Sequence, residues 1–298
     1  MKNPLVQKIV KLLAFVAVLG LMGYGLVMPG KTLPVISLAA EKIPVHLPIP
    51  GFEHGVPNTI PTAMITSLIL IILALAYYRA YRRAEKTGEE SRFLVAVDAF
   101  YETLHSFIGN VAGKKYVDEF LPLIASFFIF ILLANWTGLL PGMGSVGVYE
   151  EHHGEIHLIP FFRSPNADLS TTLGLAIISL AATQYIGFKH QGRTYLNKFF
   201  NFRAPEEAEG ALRPVLIIAN GFAGLLELIA EVIKIFSFAF RLFGNVFAGE
   251  VLLMVITFLA AFIAVIPFMG LELFVGLIQA LIFAMLSLIF FRMAAHHH

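Results

Sequence analysis

From Leu212 to Ile266 the chain runs for 55 residues with few polar interruptions, and this run limits the possible fold more than any other feature. A helix crossing a bilayer upright needs only about 20 apolar residues. A stretch this long predicts either one steeply tilted helix or a short span joined to a long tilted one. Pro267 and Gly270 then break the pattern, and Leu271 to Phe291 returns across the membrane to Arg292. The C-terminal part is therefore expected to be a long, strongly tilted helical hairpin.

Composition agrees that lipid is the solvent. Hydrophobic residues make up 58% of the chain and charged residues only 14%, where soluble domains carry about 25% charge. The expected fold class is an all-α polytopic membrane protein. A net charge of +1 offers no electrostatic reason to bind nucleic acid. The absence of cysteine removes disulfides, thiolate metal sites and thiol catalysis. There is no P-loop, no glycine-rich dinucleotide turn and no Ser/His/Asp arrangement, so neither self-contained enzyme chemistry nor a bound cofactor is expected.

Leu12 to Val27, behind Lys2, Lys8 and Lys11, fits either a signal peptide or a first membrane helix. A Pro- and Gly-rich segment follows to Pro61. The stretches "TAMITSLILIILALAYY", "DEFLPLIASFFIFILLANWTGLLPG" and "ADLSTTLGLAIISLAATQYIGF" are further spans. Phe93 to Lys115 alternates apolar and polar residues at helical period, which predicts an amphipathic helix at the interface. Tyr149 to His157, "YEEHHGEIH", carries residues able to ligate a metal. Without a scaffold to fix their geometry it reads as a solvated external loop, and no metal site is assigned. Placing segments 79–118 and 188–213 inside gives them seven and five cations, against two and one in 29–61 and 141–167. That orientation obeys the positive-inside rule. It leaves about five membrane passes after the leader or extra helix, with residues 1–61 as an N-terminal unit and 62–293 as the membrane domain.

The polar residues within these spans are few. An arginine at the centre of a span costs at least roughly 2.5–3.5 kcal/mol, so Arg241 requires an explanation. At 100° per residue, Asn220, Glu227, Glu231, Lys234, Arg241 and Asn245 fall within about 80° of one another. Glu231 and Lys234 can neutralise each other as an i,i+3 pair. Arg241 cannot use them, because Glu231 and Glu227 lie roughly 15 and 21 Å back along the helix axis. Its charge is permanent, so it needs a carboxylate from elsewhere, and a second chain would serve. Glu250 projects to the opposite side. With Glu272 on the last helix it is expected to belong to an ion pathway, as intramembrane acids often do. On the last helix Glu272 and Gln279 are seven residues apart and share a face.

"RLFGNVFAGE" at 241–250 and "GLIQALIFAMLSLIF" at 276–290 closely resemble subunit a of the F-type rotary ATP synthase. "FIFILLANWTGLLPG" at 128–142 and "SPNADLSTTLGLAI" at 164–177 extend the likeness, which covers roughly Thr62 to Arg292. The resemblance implies a non-catalytic stator subunit whose two half-channels lead protons to and from carboxylates on a ring of c subunits. It makes Arg241 the essential arginine facing a ring carboxylate. It makes Asn245, Glu250, Glu272 and Gln279 pathway positions, with Glu227, Lys234 and Ser237 as upstream polar positions. It sets Gln279 opposite Arg241, and in an antiparallel hairpin that register also sets Glu250 opposite Glu272 and is centred near residue 260, short of the breakers Pro267 and Gly270. Asn135 and Asp168 fall in the other two motif blocks. The implied partners are the c ring, the b subunits of a peripheral stalk, the soluble head indirectly, and the lipid bilayer. Protons are the commoner coupling ion, and a bacterial plasma (inner) membrane is the expected location. The first 60 residues match no motif of the family. Two other classes compete. A secondary transporter or channel could use Arg241 for an anionic substrate, although no internal repeat of the kind such proteins often carry is visible. A membrane scaffold would make Arg241 and both glutamates dispensable.

Overall fold

A computed structural model of the chain describes residues 37–44, 55–140, 142–143, 146–152, 155–199 and 212–296. The leader-like run Leu12–Val27 lies outside the described residues. Among the described residues five helices are long and apolar enough to cross a membrane, as an all-α polytopic protein requires.

Two short strands, β1 (Lys42–Ile43) and β2 (Val56–Pro57), pair antiparallel before the first helix. The helices are α1 (Thr59–Thr87), α2 (Arg92–Ala112), α3 (Val117–Gly138), α4 (Leu169–Gln191) and α5 (Leu212–Ala295). Gly88 ends α1 in the left-handed conformation, at φ 71°, where glycine carries no Cβ penalty. Ser91 then caps α2 by accepting a bond from the Leu94 amide at 3.2 Å. α2 is the amphipathic helix that the periodicity predicts. It buries Leu94, Ile108 and Ala112 against the bundle and leaves Phe93, Val95 and Tyr101 exposed. The polar composition of 149–157 predicts a loop, but the backbone forms an antiparallel hairpin of β3 (Gly147–His152) and β4 (Glu155–Pro160). Val148, Tyr149, Ile156 and Ile159 favour extended structure, and the ladder prevails over the polar content.

The backbone is helical across the 84 residues of α5, yet the segment is not one rod. The Phe238 ring lies 5.1 Å from that of Phe283 and 5.4 Å from that of Phe290, so the chain doubles back. Its two arms are Leu216–Phe258 and Val265–Ala295. Gly249 backs onto Glu272, which centres the register at about residue 260, as the pairing implied by the resemblance predicts. Pro267 and Gly270 do not make the turn; they lie inside the second arm. The first arm, at 43 residues, is roughly 65 Å long, about twice the thickness of a hydrocarbon core. It must lie oblique or extend beyond the hydrocarbon.

The core forms where α3 and α4 pack on the two arms. Phe120, Ile131, Leu242, Leu288 and Phe291 are all at most 1% exposed. Ala239 and Ala280 are fully buried and Ala284 nearly so, small residues that let helix backbones approach closely. The outward faces are apolar as well. Leu68, Ile71 and Ile72 on α1 and Phe222, Ile233 and Phe240 on the first arm are more than half exposed. In water such faces would be aggregation-prone, and in a bilayer they meet lipid or another membrane chain.

Candidate functional site

The middle of the hairpin holds the predicted centre. Ser237, Arg241 and Asn245 recur every four residues and all lie on the exposed flank of the first arm. Leu242, one residue on, points into the core at 1% exposure. Arg241 borders a small cleft with Phe238, Leu242, Phe283 and Gln279, so the predicted juxtaposition with Gln279 is present. Gln279 is 9% exposed and reaches the cleft from the second arm. Arg241 has no ion pair and no hydrogen-bond partner among the described residues. It is a bare cation on an apolar flank, as the spacing of its own stripe requires.

The second arm is set at its height by the motif on α3. The Asn135 amide donates to the Gly276 carbonyl at 3.0 Å, and the Trp136 indole donates to the Leu273 carbonyl at 3.1 Å. A Cβ at Gly276 would press on Asn135, so glycine there lets the two helices meet. Asn166 donates to Asn135 Oδ1 at 2.7 Å and thereby orients it. Ser179 and Ser287 share a hydrogen bond of 2.7 Å lower down, joining α4 to the same arm. These contacts hold the helix face that carries Glu272 and Gln279. Asp168 does two jobs. Its carboxylate caps α4 through the Ser170 amide at 2.9 Å and accepts from the Thr59 hydroxyl at 3.0 Å, tying the start of α1 to the start of α4. Around this junction the side chains of Asn58 and Thr62 are buried without hydrogen-bond partners among the described residues.

Glu272 is 9% exposed and its carboxylate lies against Gly249, where any Cβ would overlap it. The register therefore holds at the level where Glu250 is expected to face Glu272. The Glu250 carboxylate itself turns elsewhere. Arg163, in the connector before α4, binds it at 2.9–3.0 Å through Nε and Nη2. Sequence reasoning missed Arg163 as a site residue. The available signal was its isolation, since it is the one cation in segment 141–167.

At the other end of the first arm the polar stripe is neutralised within the chain. Glu231 pairs with Lys234 at 2.9 Å, the i,i+3 contact expected from spacing. Lys198, at the end of the 3-10 turn Gly192–Lys198, bridges Glu227 at 2.8 Å and Glu231 at 2.7 Å. The backbone of Phe199 closes on Gly224, a position with no room for a Cβ. The stripe read from the sequence thus divides. Glu227, Glu231 and Lys234 form an internal ion cluster, while Arg241 and Asn245 face out, with Ser237 beside them.

Residues 62–292 match the family described as ATP synthase A chain. Over 195 residues the chain is 33% identical to a protein named ATP synthase subunit a from Desulfotalea psychrophila, covering 65% of this chain and 68% of the relative. A protein of the same name from Syntrophobacter fumaroxidans is 34% identical over 195 residues, with the same coverage of both chains.

Proposed function

The chain belongs to the ATP synthase A chain family, as a multi-pass subunit a of the membrane sector of the F-type complex, and from that premise we propose that it is the stator channel beside a rotating c ring. Membership associates the chain with proton transport coupled to ATP synthesis, and it sets aside the reading as an independent anion transporter.

One observation supports the stator reading best. Arg241 is a permanent cation on an exposed apolar flank with no carboxylate partner among the described residues. A carboxylate on a passing ring subunit supplies the missing partner. Such a group travels through lipid in its neutral form, because desolvation disfavours its charge. Opposite Arg241 the charged form is favoured, so the ring gives up its proton on one side of the arginine and takes up another on the far side. The same cation repels a proton that would cross directly between the two half-channels. Glu250, Glu272, Asn245 and Gln279 serve the outer path in this reading, and Glu227, Lys234 and Ser237 the inner one. The b subunits hold the chain against rotation, and ATP chemistry stays in the soluble head. The basic segments face the cytoplasm of a bacterial inner membrane.

The test is Arg241→Ala in the assembled complex in membrane vesicles. Proton-driven ATP synthesis and ATP-driven proton uptake should both vanish while the head remains bound. Arg241→Lys should fail too, since an ammonium can lose its proton when desolvated whereas guanidinium does not. Normal coupled synthesis in either variant would refute the stator role.

A further inference from the structure

We propose that Arg163 is a positioning residue for Glu250, and that the same guanidinium straps the Ser37–Ala39 backbone across the outer end of the hairpin. The inference rests on the outer proton path proposed above. All three guanidinium nitrogens are engaged. Nε lies 3.0 Å from both Glu250 carboxylate oxygens, and Nη2 lies 2.9 Å from one of them. Nη2 also donates to the Ser37 carbonyl at 3.0 Å, and Nη1 donates to the Ala39 carbonyl at 3.1 Å. The guanidinium carbon lies 5.8 Å from the ring centre of Phe247, nearly one turn before Glu250. The side chain of Arg163 is 7% exposed and that of Glu250 33% exposed, so the pair is covered from one side only.

The mounting is rigid. Ser164, beside Arg163, donates to the Ala134 carbonyl at 3.0 Å, and the turn Pro165–Ala167 behind it is fully packed. The strap is fixed at its other end as well. Ile43 is 6% exposed within the β1–β2 pair, and the Asn58 amide donates to the Glu41 carbonyl at 2.9 Å. One planar, permanently charged fork thus fixes a pathway carboxylate and an external segment together. A lysine, with a single ammonium, reproduces the charge but not the planar fork that spans both partners. A mere fastener of the strap would need only the two carbonyls. Arg163 also directs Nε and Nη2 at the carboxylate, which points to a role in placing that group.

The chain has no native cysteine, which allows a clean test in the assembled complex in vesicles. Arg163→Ala should reduce proton-driven ATP synthesis about tenfold to a hundredfold, the scale of loss when a reacting group is misplaced by about an ångström. Arg163→Lys should recover part of that loss. Arg163→Ala combined with Glu250→Gln should be no worse than Glu250→Gln alone, because a residue acting through Glu250 has nothing further to lose. With Ile43→Cys as reporter, labelling by a membrane-impermeant maleimide should be slow in the parent and several times faster with Arg163→Ala. Should Arg163→Ala fail to assemble, Arg163→Met, which keeps the apolar stem but donates to neither the carboxylate nor the two carbonyls, takes its place in every arm. Losses that multiply in the double variant, equal loss with Lys and Ala, or unchanged labelling would each overturn the inference. Arg241→Ala, run alongside, separates the failures. If it still couples, the pathway reading falls; if it is inactive while the Arg163 arms fail, only the clamp falls.

Discussion

Arg163 and Arg241 are the same side chain treated in opposite ways. Arg163 is buried with a carboxylate, two carbonyls and an aromatic ring around it, all from its own chain. Arg241 is exposed on an apolar flank and has no such partner among the described residues. A charge removed from water is costly unless it is paired and hydrogen-bonded. The region around Arg163 is electrostatically complete as an isolated chain, and the region around Arg241 is not. Residue type does not distinguish a cation that holds the fold from one that awaits a partner. The contacts do.

The largest effect expected is on activity at the incomplete site. Arg241→Ala should lower coupled synthesis by at least about a hundredfold, as loss of a preorganised charge at a reacting centre does. The thermal unfolding midpoint of the purified chain in detergent should hardly move, because no ion pair or hydrogen bond among the described residues is lost. Arg163→Ala should reverse the balance of stability, costing of order 3 kcal/mol in detergent unfolding by stranding a partly buried Glu250. A stable Arg163→Ala protein and an unstable Arg241→Ala protein would break the comparison.

A smaller effect tests the level at which the arms meet. Gly249→Val would drive a side chain into the Glu272 carboxylate, and overpacking of this kind costs roughly 1–3 kcal/mol. Gly174→Ala on α4 meets no atom within 4 Å and should stay within about 1 kcal/mol of the parent. Equal losses would mean that the arms are not in close contact there. Lys198→Met leaves Glu231 with Lys234 as its remaining ion pair and should cost roughly 1–3 kcal/mol, less than Arg163→Ala. At the small end, the Arg82–Glu85 pair is 56% exposed on both sides. Exposed pairs contribute little, so Glu85→Ala should leave the unfolding midpoint unchanged within error.

Much of this architecture is legible without coordinates, for a physical reason. In lipid every span must satisfy its backbone internally, so apolar length translates directly into helices, and α1, α3, α4 and the hairpin arms follow. The period of α2 reads equally well, since an amphipathic helix has one dry face. The hairpin register is legible through the family resemblance, which sets Gln279 opposite Arg241; the spacing of Glu250 and Glu272 then agrees with it. The turn is harder to read. Pro267 and Gly270 look like breakers, but both lie inside the second arm, and the register centres the turn nearer residue 260. The β3–β4 hairpin is hidden by its charged composition, because a ladder depends on a partner strand and not on the segment alone.

At the site, helical spacing alone brings Arg241 and Asn245 onto one flank, pairs Glu231 with Lys234, and shows that Arg241 has no carboxylate within reach on its own stripe. Those relations are local, fixed by 1.5 Å and 100° per residue. The tertiary structure decided what comes from far along the chain. Arg163 approaches Glu250 from 87 residues away, and Lys198 reaches Glu231 from 33 residues away. Asn135 holds the second arm from 141 residues away. No periodicity encodes such meetings, because they depend on how whole helices cross and which side chain a packed connector delivers. For that reason Glu250, expected opposite Glu272, finds an arginine instead.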